Sequence, residues 1–115
     1  MLLWPNLARQ RGGNPVGVTE AVNIVNRQQG VFLDVRSAEQ YKAGTIAQAR
    51  HIPAAELAAR LDSLPKNKPL IVIGDQGRDA KSAVAALRKH GLEAVSLEGG
   101  LRSWQDAGLP VSKKS

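Results

Sequence analysis

A chain of 115 residues is long enough for one domain with one core, and 43% hydrophobic with 23% charged residues is the composition of a globular domain. The absence of cysteine excludes disulfides, thiolate metal sites, iron–sulfur ligation and a cysteine nucleophile within this chain. The formal charge of +6 is mostly peripheral, because Arg9, Arg11, Lys113 and Lys114 account for four charges and leave about +2 for the remainder. No basic stripe with interleaved aromatic residues is present, so we expect no nucleic-acid partner.

Both ends of the chain differ in composition from its middle. We expect residues 1–16 to form an N-terminal tail or linker, residues 17–111 the domain, and residues 112–115 a basic tail. An apolar start with Trp4, followed by two arginines, is also typical of the cytoplasmic end of a membrane anchor. Two interpretations therefore stay open: an ordinary tail, or the juxtamembrane part of a longer, anchored parent. No signal peptide or bilayer-spanning segment is visible, so we expect a cytoplasmic location, either free or tethered to the inner face of a membrane.

The first elements predicted along the chain are a helix and a strand. Thr19 has the character of an N-cap, with Val18 before it as a hydrophobic staple. The helix follows over residues 20–27, and Gly30 closes it. The apolar run Val31–Asp34 is typical of a buried strand.

A short helix, a loop and a second helical segment come next. Ser37 is predicted to cap a helix over residues 38–42, and Gly44 ends that element. A loop is expected from there to Pro53, and the composition of residues 54–61 favours a helix.

The most apolar run of the chain is Leu70–Ile73, which we predict to be a central strand. Residues 64–69 before it form a turn, and residues 74–78 after it form a tight polar loop. The clearest helix follows over residues 80–90, where Gly91 stops it in the left-handed position after the helix end.

Residues 94–97 predict one more strand and residues 101–107 a last helix, ended by Gly108. Short continuous apolar strands that alternate with helices favour parallel strands covered on both faces. The predicted fold class is α/β, with a central, mainly parallel sheet of about five short strands and helices on both faces. In such folds the ligand site lies beyond the carboxyl ends of the strands, so the loop at residues 74–78 is the candidate site.

Four blocks of sequence carry a family resemblance. Residues 31–36 read Val-Phe-Leu-Asp-Val-Arg, and Glu-Gln-Tyr and Gly-Thr-Ile follow within residues 39–46. His-Ile-Pro comes at residues 51–53, and residues 99–111 combine Gly-Gly-Leu, a Trp and Gly-Leu-Pro-Val. In this order the blocks resemble rhodanese-like, sulfurtransferase-fold domains of the bacterial single-domain type. The resemblance implies a three-layer rhodanese-like fold in which Asp34 and Arg36 are polar anchors near the site, whereas an ordinary surface charge pair is the simpler alternative. We expect the Trp of the last block to pack in the core or at its rim rather than stack on a ligand.

The candidate loop departs from the family pattern. In active relatives the corresponding strand is followed by Cys-x-x-Gly-x-Arg, whereas here the chain reads Gly74, Asp75, Gln76, Gly77, Arg78, Asp79. Gly74 stands at the position of the nucleophile, and the closing arginine has become Asp79. Sulfur transfer through a persulfide needs an activated thiolate, which glycine cannot provide. We therefore predict no catalytic residue, and the same reasoning excludes cysteine-based phosphatases and arsenate reductases.

Other residues offer little replacement chemistry. Ser82 falls about one turn inside the predicted helix and needs a neighbouring base. His90 lies at the far end of that helix, about 12 Å from its start, and His51 lies in a loop, so we expect both to be surface or rim residues. Asp75 and Asp79 can be interpreted as an acid–base pair, but we favour polar loop residues, with Asp79 as the cap of a helix from Ala80.

Residues 74–79 remain the candidate binding residues, because a loop that leads into a helix presents free amide groups to an anion. Either a small anion is held there with help from Arg78, or the acids at positions 75 and 79 occupy the pocket themselves; we favour the second and expect little or no thiosulfate binding. The leading hypothesis is an inactive rhodanese-like domain that acts as a regulatory or protein-interaction module with an unknown protein partner. The alternatives are a sensor of a sulfur oxyanion or phosphate and, last, a residual sulfurtransferase-type enzyme. We expect no cofactor and no metal ion, and the sequence does not define the oligomeric state.

Overall fold

The computed structural model describes residues 15–74 and 78–113, with the side chains of residues 78 and 79 left out. The helices are α1 (Val18–Gln28), α2 (Ala38–Ala43), a 3-10 helix (Ala54–Ser63), α3 (Arg78–Lys89) and α4 (Gly100–Asp106). The strands are β1 (Val31–Asp34), β2 (Thr45–Ile46), β3 (Arg50–His51), β4 (Leu70–Ile73), β5 (Ala94–Ser96) and β6 (Val111–Ser112).

The central sheet has four parallel strands in the order β3-β1-β4-β5. The four residues of β4 are completely buried, and the strand pairs with β1 on one side and with β5 on the other. A fully buried strand has no polar face, which explains why its sequence is continuously apolar. The predicted α/β class with a mainly parallel sheet is confirmed, and so is the central position of Leu70–Ile73.

Alternation along the strands divides the core into two clusters, one on each face of the sheet. One cluster joins Phe32, Ile71 and Val95 to side chains of α1 and α4. The other joins strand residues such as Leu33 to side chains of the 3-10 helix and α3, among them Leu87. Helices therefore cover both faces, and the fold has three layers.

The N-terminal edge of the described chain takes part in the sheet. Val16 is fully buried, its amide donates to the Ser96 carbonyl (2.9 Å), and its carbonyl accepts from the Glu98 amide (2.8 Å). The chain is therefore extended at Val16 and turns into α1 at once, with Gly17 as the N-cap. The prediction that Thr19 caps this helix is wrong, because sheet pairing fixes the helix start two residues earlier.

Short elements occupy the segment expected to be a loop between Gly44 and Pro53. β2 pairs in antiparallel fashion with β6, and β3 joins the central sheet next to β1. The helical segment predicted next is a 3-10 helix that extends to Ser63 and contains a kink at Arg60. Two-residue strands have no periodicity, so the sequence could not reveal them.

Three predicted helix ends are confirmed. Ser37 caps α2 through a capping box with Gln40. Gly91 follows α3 with a φ of +81°, and the Leu92 amide donates back to the Leu87 carbonyl (3.0 Å), as in a Schellman motif. Gly108 follows α4 with a φ of +80°. None of the helices in the described part of the chain combines the length and apolar character that crossing a membrane requires.

Candidate functional site

The carboxyl ends of three parallel strands lie side by side at one edge of the sheet. Asp34 at the end of β1 pairs in register with His51 of β3 on one side and with Ile73 of β4 on the other. Gly74 follows β4 directly and is buried. The strand-end edge that the sequence analysis singled out therefore contains position 74 between β4 and α3.

After Gly74, the structure describes the candidate segment again only from residue 78 onward. Asp75, Gln76 and Gly77 lie outside the described residues, so the predictions made for them have no structural counterpart here. Arg78 and Asp79 are the first two residues of α3. Asp79 is therefore inside the helix and not its N-cap, because the helix begins two residues before the predicted start at Ala80.

A buried ion pair lies beside this edge. Asp34 is fully buried and Arg36 is 7% exposed. The Arg36 guanidinium donates from Nη2 to Asp34 Oδ2 (2.7 Å) and from Nε to Asp34 Oδ1 (3.0 Å). The Arg36 amide donates to the same Oδ1 (2.9 Å). A carboxylate with three donors from one residue is held in a single orientation, unlike a pair on the surface.

The ion pair also connects β1 to the start of β2. Arg36 Nη2 donates to the Gly44 carbonyl (2.5 Å), and Thr45 Oγ1 donates to Asp34 Oδ2 (2.8 Å). On the other side, the Val35 amide donates to the Ile73 carbonyl (3.1 Å), one residue before Gly74. The loop after β1 is therefore fixed to β2 and to the end of β4. Gly44 and Thr45 were not among the predicted site residues, because only the fold brings them to the carboxylate.

His51 of β3 lies next to the ion pair. Its Nε2 lies 2.9 Å from the Arg36 carbonyl, and because a carbonyl can only accept, this nitrogen carries the proton. Its ring stacks on that of Tyr41, with centroids 4.2 Å apart and planes inclined by 10°. His51 is half-buried, as a rim residue would be, and its contacts hold α2 against the end of β3.

The other residues considered for catalysis lie apart from one another. Ser82 is exposed in the second turn of α3, and among the described residues no base is hydrogen-bonded to it. His90 is exposed past the end of that helix, where Nδ1 lies 2.9 Å from the Ala86 carbonyl. No cluster of three possible metal-binding side chains occurs within the described ranges.

Trp104 is a packing residue, as predicted. It is 7% exposed, and its ring meets that of Phe32 edge to face, with centroids 5.3 Å apart. Its indole Nε1 donates to the Pro110 carbonyl (2.7 Å). Both its apolar body and its polar group are thus used inside the fold.

Comparison with known proteins identifies the class. Residues 18–107 match the Rhodanese-like domain family, and the chain belongs to that family. A crystal structure of a rhodanese-related protein from Thermoplasma volcanium superposes with a TM-score of 0.79 and 30% identity, covering 86% of this chain and 97% of that one.

Two curated relatives have different descriptions. Thiosulfate sulfurtransferase GlpE of Actinobacillus succinogenes is 32% identical over 92 residues, which are 79% of this chain and 83% of that protein. An HTH-type transcriptional regulator of Mycobacterium tuberculosis is 37% identical over 100 residues, which are 84% of this chain and 44% of the regulator. The chain thus spans less than half the length of the regulator.

Proposed function

We propose that this chain is a catalytically inactive rhodanese-like domain that acts as a protein-interaction or regulatory module. The observation that carries the proposal is the residue directly after the central strand. That residue is Gly74, at the position where active relatives carry the cysteine, and the chain contains no cysteine elsewhere. A persulfide requires a thiolate, so the characteristic reaction of the family has no acceptor here.

The rest of the fold supports a retained structural role. The Asp34–Arg36 pair, the two core clusters and the capped helices form a complete three-layer domain around the altered position. The match to a transcriptional regulator covers only part of that protein, which favours the interpretation of this chain as a module that acts together with another domain. Regulation by this chain is our inference from that relationship and from the missing nucleophile.

A sulfurtransferase assay tests the proposal directly. We expect the purified chain to transfer no sulfur from thiosulfate to cyanide above the background without protein, while GlpE of Actinobacillus succinogenes, assayed in parallel, provides the reference. Turnover by the unchanged chain would contradict the proposal.

Two variants provide matched controls for the altered loop. Gly74→Cys alone restores the nucleophile without the closing arginine, and we expect no activity from it. Gly74→Cys with Asp79→Arg restores both family positions, and we expect a trace of activity only from this double variant. Strong destabilisation of the double variant would contradict this placement, because neither a cysteine directly after β4 nor an arginine in the first turn of α3 should cost much stability.

The alternative, a small-anion sensor, is favoured by one feature: α3 begins only a few residues after β4, so we expect its first amide groups to face the strand-end edge. We expect the acids at positions 75 and 79 to oppose an anion there. A titration of the amide resonances of residues 74–80 with thiosulfate, sulfate and phosphate separates the two functions. Saturable shifts confined to this loop would establish the sensor, and their absence at millimolar ligand would direct the search to protein partners.

A further inference from the structure

A groove lies along the open side of β3, the edge strand of the central sheet. Its lining includes Tyr41 of α2 and Arg60 and Ser63 of the 3-10 helix. Arg50 and His51 of β3 also line it, and we refer to this strand as its floor. Its volume of about 460 Å³ is in the range of ligand sites, and we call it the β3 edge groove.

The floor of the β3 edge groove carries unpaired main-chain groups. The Ile52 amide donates to the Asp34 carbonyl (3.0 Å), so residue 52 faces β1. Main-chain groups of successive residues in a parallel strand point to opposite sides, which directs the amide and carbonyl of His51 away from β1. Neither group has a backbone partner among the described residues. An unpaired edge of this kind accepts a further strand.

Two side chains that line the β3 edge groove, Arg50 and Arg60, are positively charged. Arg50 is held in place by a hydrogen bond from Nη1 to the Ser63 carbonyl (2.6 Å), and its other side-chain nitrogens have no hydrogen-bond acceptor among the described residues. Arg60 lies 3.6 Å from Glu56, and both side chains are about half exposed, which makes this a weak pair. No acidic residue lines the β3 edge groove within the part of the chain that the structure describes.

Two other surface depressions are lined by both acidic and basic side chains. One places Asp62 beside Lys66, and the other places Glu93 beside Arg88. The β3 edge groove differs from both, because two guanidinium groups flank it without a lining carboxylate.

We propose that the β3 edge groove binds an extended acidic peptide of a partner protein. Peptide amide and carbonyl groups pair with the carbonyl and amide of His51, and flanking carboxylates bind Arg50 and Arg60. Sulfate and thiosulfate fit less well, because they have no donor for the His51 carbonyl. β3 has only two residues and is followed closely by Pro53, so main-chain pairing is short and the charged contacts supply most of the selectivity.

This inference rests on the proposed function, because it names the kind of partner that the module recognises. The test is an amide-resonance titration of the full chain with a short acetylated and amidated peptide of alternating Glu and Val. We expect the resonance of the His51 amide to shift saturably, and the binding affinity to fall as salt is added. A matched peptide with Gln in place of Glu should bind at least about fivefold more weakly, in line with the loss of two exposed charge contacts.

Variants separate the groove from general electrostatic attraction. Arg60→Gln should weaken binding of the acidic peptide by about threefold, and Arg50→Gln with Arg60→Gln by about tenfold. Arg102→Gln removes the same charge from an exposed position on α4, outside the groove, and should leave binding unchanged. Arg60→Gln alone keeps the Arg50–Ser63 bond, so it remains informative if the double variant folds poorly.

Three results would overturn the inference: no shift of His51 with the acidic peptide, equal binding of the Gln peptide, or an equal response to inorganic phosphate alone. The last result would identify a small-anion site instead. The proposed function fails on a different measurement, which is sulfur transfer by the unchanged chain, so the two failures are distinguishable.

Discussion

Replacing Asp34 with alanine should strongly destabilise the domain. The substitution removes the acceptor of the Arg36 guanidinium, of the Arg36 amide and of the Thr45 hydroxyl. Breaking a buried ion pair by removing one partner costs about 3–5 kcal/mol. Arg36 is 7% exposed and keeps its bond to the Gly44 carbonyl, so we expect the lower end, about 3 kcal/mol.

That loss is large for a domain whose free energy of unfolding is about 5–15 kcal/mol. Urea denaturation followed by far-ultraviolet circular dichroism measures it. At a slope of about 2 kcal/mol per M, the midpoint should fall by about 1.5 M.

Glu56→Ala is the matched control, because it breaks an exposed pair with Arg60 at 3.6 Å. Such a pair contributes little, so the change should stay within about 0.5 kcal/mol. If Asp34→Ala lowers the midpoint no more than Glu56→Ala does, the buried network does not stabilise this edge and our account of it is wrong.

Two further pairs of substitutions test a close backbone approach and a helix cap by thermal unfolding. Gly30→Ala should lower the free energy of unfolding by about 1 kcal/mol or more, since a Cβ there would lie 2.9 Å from Cγ2 of the buried Ile24. Gly17→Ala is the control: its Cβ would meet nothing within 4 Å, so the loss should be about 0.5 kcal/mol or less. Equal effects of the two glycine changes would refute the close-approach argument. Ser37→Ala should cost about 1 kcal/mol, because the capping box with Gln40 is lost, whereas Ser37→Asn should preserve most of the cap; equal losses would argue against capping.

Much of the fold could be predicted where the local sequence and the tertiary structure favour the same state. Val31–Asp34 and Leu70–Ile73 are apolar because the sheet buries them, so composition alone indicated two strands. Ser37 and Gly91 mark helix ends through local chemistry that does not depend on the rest of the chain.

Predictions failed where a distant partner determines the outcome. Thr19 has suitable cap chemistry, but the pairing of Val16 with the segment after β5 starts the helix earlier. β3 is a strand only because β1 lies beside it. At the candidate site, the family pattern alone led to the proposal of Gly74, whereas the contact between Thr45 and the Asp34 carboxylate depends on the folded chain.

The pairing of Val16 with Leu97 has a consequence for synthesis of the chain, since it joins positions about 80 residues apart. A ribosome that adds about 5–20 residues per second produces the partner of Val16 on the order of ten seconds later. During that interval α1 has already been synthesised, but Val95, Leu97 and Trp104, which belong to the same core cluster as its apolar face, have not. The nascent domain is therefore completed from its C-terminal part, and a transcript truncated before β5 yields a chain with an uncovered helix, a substrate for chaperones and proteases.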